Sequence, residues 1–219
     1  MKAVMFDLDG TLLDTIEDIG NACNMALAEF GYPTHPLSEY RKMVGNGFYM
    51  LVLRALPEKV SRAITQETMA PILAASKKAY GEHLCERTRP YPGLPETLDA
   101  LTAKGLTLCV LSNKPEDLTK VLITHYFPNT SFARVWGARE DRPLKPDPTA
   151  ALTLLEEIGV SPAECLYVGD SPVDMQTAHD AGMPSIFFSW GFSGRDALLA
   201  AGAAPDSVLD RADQLMEKI

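Results

Sequence analysis

Two aspartates stand two residues apart near the start of the chain, in Phe6-Asp7-Leu8-Asp9-Gly10-Thr11-Leu12. Carboxylates this close repel, so the pair points to a cation, a shared proton or a reaction that uses both groups. A solvated turn would read the same in isolation, because Asp and Gly are ordinary turn residues. Three later segments carry groups that fit such chemistry. Ser112-Asn113-Lys114 follows the apolar run Leu108-Cys109-Val110-Leu111. A hydroxyl there, followed by backbone N–H groups opening a helix, suits a phosphate or carboxylate oxygen, and plain helix capping by Ser112 or Asn113 is the alternative. Lys145, in Leu144-Lys145-Pro146-Asp147-Pro148, sets a cation just before an expected helix start, with Asp147 able to cap it. The helix dipole disfavours a cation at that end, and an ammonium aimed at a phosphate would explain it, an exposed surface lysine being the other reading. Asp170 and Asp174 lie four apart in Gly169-Asp170-Ser171-Pro172-Val173-Asp174. A helix starting at Pro172 brings both to one pocket, although Asp170 could also serve only as its N-cap.

Together the segments imply a charge problem. Asp7, Asp9, Asp170 and Asp174 would gather negative charge beside a phosphate-friendly loop, and Lys145 supplies one positive charge. At an effective dielectric of ~20, two unit charges ~4 Å apart repel by about 4 kcal/mol. All-oxygen ligands select a hard cation, and a few carboxylates with waters and a phosphate oxygen describe Mg²⁺.

The elements that must position these groups follow from hydrophobic patterning. Lys2–Phe6 has the continuous apolar character of a strand buried on both faces, which puts Asp7 at a strand's C-terminal end. If that strand persisted, Asp7 and Asp9 would project to one side. From residue 94 onward, short strands are expected at Leu106–Leu111, Ala133–Trp136, Cys165–Val168 and Ser185–Phe188. Helices are expected between them at Pro95–Lys104, Glu116–His125, Pro148–Ile158 and Val173–Ala181. This alternation predicts an α/β fold with a doubly wound, Rossmann-like parallel sheet, whose ligands bind beyond the carboxyl ends of the strands. Residues 15–87 carry no convincing strand, and Ile16, Ile19, Cys23, Leu27 and Phe30 recur at helical spacing. The stretch is far longer than a usual βα crossover, so it predicts an inserted α-helical domain, with residues 1–14 and 88–219 forming the α/β core.

Bulk properties exclude several classes. A net charge of −9 argues against nucleic acid or an anionic membrane as partner. No apolar run approaches the ~20 residues of a membrane span, and Asp7 and Asp9 interrupt any signal-peptide pattern. Cys23, Cys85, Cys109 and Cys165 form no C-x-x-C, which fits a reduced cytoplasm. His35, His83, His125 and His179 are scattered without metal-ligand spacing.

The ordered set Asp7-Leu8-Asp9-Gly10-Thr11, Ser112-Asn113, Lys145 and Gly169-Asp170-Ser171-Pro172-Val173-Asp174 resembles the four motifs of the haloacid dehalogenase superfamily. The helical insertion resembles that superfamily's cap. Met43-Val44-Gly45-Asn46-Gly47, Arg89-Pro90-Tyr91-Pro92-Gly93 and Ser189-Trp190-Gly191-Phe192 resemble its phosphoglycolate phosphatase branch. The resemblance implies a Mg²⁺-dependent phosphatase acting through an aspartyl-phosphate. Asp7 would be nucleophile and Asp9 the proton carrier. Thr11, Ser112, Asn113 and Lys145 would serve the phosphate, with Lys145 also restraining Asp7. The metal would be held by the Asp7 side chain, the Asp9 carbonyl and Asp170, with Asp174 acting directly or through water. Dehalogenases of the superfamily need no acid–base residue at the Asp9 position. Specificity would lie in the cap, where Gly45, Asn46 and Gly47 could bring N–H groups onto a small leaving group. Arg41, Lys42 and Arg54 are cations that could meet a second anionic group. The implied partner is a small phosphate ester, 2-phosphoglycolate first, for a monomer or homodimer. A nucleotidase, a pyrophosphatase, a β-phosphoglucomutase-like mutase and a non-catalytic phosphate-binding regulator are the competing readings. The Ser-Arg part of the mutase cap pattern is absent from Gly45-Asn46-Gly47-Phe48.

Overall fold

A computed structural model describes residues 1–219. In chain order, β1 is Ala3–Phe6 and β2 is Leu13–Asp14, followed by helices α1 Ile16–Glu29, α2 Leu37–Tyr40, α3 Gly47–Ala55, α4 Glu58–Ser61 and α5 Gln66–Glu82. Then come β3 Arg89–Pro90, α6 Leu94–Ala103, β4 Thr107–Pro115, α7 Glu116–Tyr126, β5 Phe132–Ala138 and α8 Thr149–Ile158. The chain ends with β6 Cys165–Gly169, α9 Pro172–Asp180, β7 Ser185–Phe188, α10 Gly194–Ala200 and β8 Val208–Leu209. These elements form two compact units, Met1–Asp14 with Pro90–Ile219, and Thr15–Arg89.

The first unit is built on a six-stranded parallel sheet in the order β5-β4-β1-β6-β7-β8. The chain winds outward on one side of β1, then returns through α8 to its other side, so the direction of winding reverses beside β1. That reversal opens the crevice in which doubly wound sheets bind ligands. Register makes the placement specific. Phe6 pairs with Val110 of β4 and with Val168 of β6. Asp7 and Asp170 follow the ends of β1 and β6, and Ser112 lies in β4 beside them, so the three come together at one edge. Alternation along the strands sets the core. Ala3 and Met5, Cys109 and Leu111, and Cys165 and Tyr167 face the apolar side of α8, where Ala151 and Leu154 are fully buried.

The sheet matches the expected class, and the structure adds two features. Strand β4 continues past Leu111 to Pro115 because Pro115 still pairs with Ala138 of β5. Ser112, Asn113 and Lys114 thus lie in extended backbone and do not open a helix. Helix α7 begins at Glu116 with Pro115 as its N-cap and no side-chain cap, so neither reading of Ser112 and Asn113 as helix-start groups holds. The sixth strand, β8, is two residues long, too short for periodicity to reveal. Strand β1 itself ends at Phe6, so Asp9 is placed by the turn that follows and not by strand alternation.

The second unit is helical. Ile16, Ile19, Cys23, Ala26 and Leu27 form the buried stripe of α1, which packs on α5. Buried Asp18 accepts hydrogen bonds from the Arg87 N–H (3.0 Å) and from the Thr88 N–H and hydroxyl (both 2.8 Å), tying the start of α1 to the return segment.

Candidate active site

The carboxyl edge of the sheet collects buried charge. Lys145 is 5% exposed, and its Nζ lies 2.8 Å from Asp7 Oδ1 and 2.7 Å from Asp174 Oδ1. It is not a surface lysine. Its backbone is pinned by the Asn113 side chain, whose Nδ2 donates to the Lys145 carbonyl (2.9 Å) and whose Oδ1 accepts from the Lys145 N–H (2.8 Å). A reciprocal amide pair of this kind fixes the segment across the gap between β4 and α8.

Asp170 follows β6 and is 2% exposed. Its Oδ2 accepts from the Phe192 N–H (2.7 Å) and its Oδ1 from the Thr11 hydroxyl (3.1 Å). Thr11 is fully buried, and that bond puts its hydroxyl on Asp170. The N-cap of α9 is Ser171, not Asp170. The Ser171 hydroxyl accepts from the Asp174 N–H (3.4 Å) while the Asp174 carboxylate accepts from the Ser171 N–H (3.1 Å), a reciprocal capping box. Asp174 is fully buried and heavily bonded. Its Oδ1 accepts from Lys145 and from the Tyr167 hydroxyl (3.0 Å), and its Oδ2 from the Asp170 N–H (3.2 Å) and the Ser171 hydroxyl (2.6 Å).

Asp9 is held from β4. Lys114 Nζ lies 2.9 Å from Asp9 Oδ1 and 3.1 Å from Oδ2, with the lysine side chain 1% exposed. Ser112 is buried at the same edge, and its Oγ accepts from the Lys114 N–H at 3.3 Å. Asp7, Asp9, Thr11, Ser112, Asn113, Lys145, Asp170 and Asp174 thus all belong to the α/β unit and cluster through these contacts. Gly45, Asn46 and Gly47 belong to the helical unit, where Asn46 is the N-cap of α3. The Arg54 guanidinium donates to the Asn46 side chain (2.7 Å) and the Met43 carbonyl (2.8 Å), which fastens that turn.

Burial pushes the Asp7 carboxyl up to about 7, against the pull of Lys145 and with the push of the Asp174 charge. Burial also lifts Asp170 well above the carboxylate range, helped by the charges of Asp174 and Asp7. Burial alone would raise Asp174 too, but Lys145, the Ser171 hydroxyl and the Asp170 N–H hold it below its ordinary value. Lys145 keeps its proton because Asp174 and Asp7 outweigh the cost of burying it. Asp7 and Asp170 are therefore buried acids whose charged forms burial disfavours unless a cation compensates them.

One oxygen each from Asp7, Asp170 and Asp174 lies within 4.8 Å of the others. Asp170 accepts one hydrogen bond on each oxygen, from the Thr11 hydroxyl and the Phe192 N–H, and each oxygen has a second lone pair that a ligand bond can use. The four carboxylates Asp7, Asp9, Asp170 and Asp174 face two ammonium groups, Lys114 and Lys145, an excess of two negative charges that suits a divalent cation. The donor set is all oxygen, the chemistry of a hard ion.

Three contributors were not assigned from the sequence. Lys114 was visible as a residue, but its role depends on β4 running on far enough to put Ser112 and Lys114 on one face. Tyr167 sat inside an apolar run and read as core. Gly191-Phe192 comes from a segment with no periodic signal, yet a Cβ on Gly191 would lie 2.2 Å from Asp170 Cβ. Only glycine lets that backbone approach and deliver the Phe192 N–H.

Residues 4–188 match the family of haloacid dehalogenase-like hydrolases. A phosphoglycolate phosphatase of Haemophilus influenzae (strain 86-028NP) is 32% identical over 218 residues, covering 98% of this chain and 96% of that relative. A phosphoglycolate phosphatase of Thiobacillus denitrificans is 36% identical over 193 residues, covering 88% of this chain and 85% of its own length. The solved structure of a candidate phosphoglycolate phosphatase from Lactobacillus delbrueckii subsp. bulgaricus superposes with a TM-score of 0.91 at 31% identity, across 100% of this chain and 98% of the other. With sequence and backbone agreeing over nearly the full length, the chain belongs to the haloacid dehalogenase-like hydrolases, on their phosphoglycolate phosphatase-like branch.

Proposed function

We propose that the protein is a Mg²⁺-dependent phosphatase that hydrolyses a small phosphate monoester, 2-phosphoglycolate first, through a phosphoryl group carried on Asp7. The observation that carries this reading is Asp7 itself, a buried carboxylate 2.8 Å from the Lys145 ammonium and beside Asp170, with Asp9 two residues on. The names of the relatives support the substrate.

The chemistry divides into two displacements. An Asp7 oxygen attacks phosphorus, the bond to the ester oxygen breaks, and Asp9 gives that leaving oxygen its proton. Asp9 then takes a proton from water, the water oxygen attacks phosphorus, and the bond to Asp7 breaks to release inorganic phosphate. Lys145 restrains Asp7 and balances charge on the phosphoryl oxygens, and the Ser112 hydroxyl and Asn113 backbone N–H bind those oxygens. The Asn113 side chain is committed to Lys145 through both its amide nitrogen and its oxygen, which fixes this stretch of β4 beside the Lys145 segment. Mg²⁺, held by the Asp7 side chain, the Asp9 carbonyl and Asp170, would supply charge neutralisation that lets a phosphate enter an acidic pocket. Asp174 stands behind, orienting Lys145 and the Asp170 loop. Discrimination among alcohols is assigned to residues 15–87 acting as a cap, with Gly45, Asn46 and Gly47 as its leading candidates.

The test is phosphate release from a panel of small monoesters with Mg²⁺ present, for the wild type and Asp7→Asn. Phosphoglycolate should give the highest kcat/KM, and the variant should lose turnover by at least about 10³-fold. Unchanged turnover in Asp7→Asn would overturn the nucleophile, and release from other monoesters but not from phosphoglycolate would overturn the substrate.

A further inference from the structure

The Asp9 carboxylate does not face solvent on a free turn. Lys114 Nζ straddles both of its oxygens, at 2.9 and 3.1 Å, with the lysine side chain 1% exposed and the aspartate side chain 14% exposed. Burying an ammonium is costly unless a carboxylate compensates it, so the two groups fix one another. The lysine's own backbone is equally constrained. Its N–H donates to Ser112 Oγ at 3.3 Å and its carbonyl accepts from the Thr119 hydroxyl at 3.3 Å. On the far side, a Cβ at Gly137 would lie 2.5 Å from the Lys114 carbonyl oxygen, so β5 backs directly onto this residue. A long flexible side chain thus springs from a rigid base and ends on one carboxylate.

We propose that Lys114 is a positioning residue, which holds the Asp9 carboxylate in the one orientation from which it can pass a proton to the leaving oxygen and take one from water. This rests on the reading of Asp9 as the proton carrier. Proton transfer by a placed side chain contributes roughly 10²–10⁴-fold, and a displacement of ~1 Å forfeits much of that. The loss depends on the leaving group. An alkoxide needs the proton as its bond to phosphorus breaks, whereas p-nitrophenolate leaves without it.

The experiment is first-turnover kinetics of wild type, Lys114→Met, Lys114→Arg, Asp9→Asn and the Lys114→Met/Asp9→Asn double variant, on 2-phosphoglycolate and p-nitrophenyl phosphate. In Lys114→Met the first turnover of phosphoglycolate should fall by at least about tenfold, while the first p-nitrophenolate release stays within about threefold of wild type. KM should move little. Lys114→Arg should recover part of the loss, and the double variant should be no slower than Asp9→Asn alone, because the lysine has nothing left to position. Equal losses on both substrates, or losses that multiply with Asp9→Asn, would make Lys114 merely structural and overturn the proposal. The double variant carries no unpaired charge at the pair, so it guards against a Lys114→Met protein that does not fold. If wild type shows no Asp7-dependent phosphate release, the functional reading itself fails. If that dependence holds and Lys114→Met behaves as wild type, only the role of Lys114 falls.

Discussion

Asp170 and Asp174 carry the same formal charge and lie four residues apart, yet their surroundings assign them different tasks. Asp174 is saturated by the protein, with Lys145, Tyr167, Ser171 and the Asp170 N–H on its oxygens. Asp170 holds two hydrogen bonds and a carboxyl raised far above its ordinary range, first by burial and then by its charged neighbours. A metal should therefore depend on Asp170 and be indifferent in kind to Asp174. In thermal melts, Mg²⁺ should raise the Tm of wild type and of Asp174→Asn, and leave Asp170→Asn unmoved. Asp174→Asn should itself be less stable by about 3 kcal/mol, because buried Lys145 loses a charged partner. A metal response abolished equally in both variants would make Asp174 a direct ligand.

At the scale of elements, the site is a matter of strand register and of loops that approach closely. Strand order and the Phe6 register carry Asp7, Ser112 and Asp170 to one edge, and the loop through Gly191 and Phe192 closes over Asp170. Gly191→Ala should cost most of the activity, since its Cβ would fall 2.2 Å from Asp170 Cβ. Gly81→Ala is the control. Nothing lies within 4 Å of its Cβ, and in the last turn of α5 alanine should leave stability unchanged or raise it by roughly a few tenths of a kcal/mol. Comparable activity losses in the two variants would show that backbone approach at Gly191 is unimportant. Much of this architecture was legible beforehand. β7 is observed as Ser185–Phe188, as its apolar run requires, and β1 reads as a fully buried strand because it is central. The extension of β4 was not legible, since Ser112-Asn113-Lys114-Pro115 is polar and only pairing with β5 keeps it extended. For the same reason the candidate site was legible in its charged residues but not in Lys114, Tyr167 and Phe192. Their roles come from tertiary approach; Phe192 stands in the segment Ser189-Trp190-Gly191-Phe192, which resembles the phosphoglycolate phosphatase branch, but nothing in that segment points to Asp170.

For the whole molecule, these buried acids should set how stability depends on pH. Burial raises the folded pKa of Asp7 to about 7, well above the ordinary aspartate value of about 3.9, and raises Asp170 as well. Between those limits the metal-free native state keeps protons that the unfolded chain has released. Stability from these groups is full below the unfolded pKa and is lost as pH rises through the folded one. Asp174, held below its ordinary value, acts oppositely and in a lower window, losing its contribution as the medium becomes more acidic than pH ~4. Metal-free protein should thus be less stable at pH 7.5 than at pH 5. Self-repulsion in a chain of net charge −9 pushes the same way, so the slope alone does not identify the site. Two comparisons separate the causes. Asp170→Asn should flatten the metal-free slope while changing the net charge by only one. Saturating Mg²⁺ should raise the wild-type Tm far more at pH 7.5 than at pH 5, because at the lower pH it must displace protons from Asp7 and Asp170. A slope identical in wild type and Asp170→Asn, or a Mg²⁺ response independent of pH, would mean that the acidic cluster is not where the molecule stores this energy.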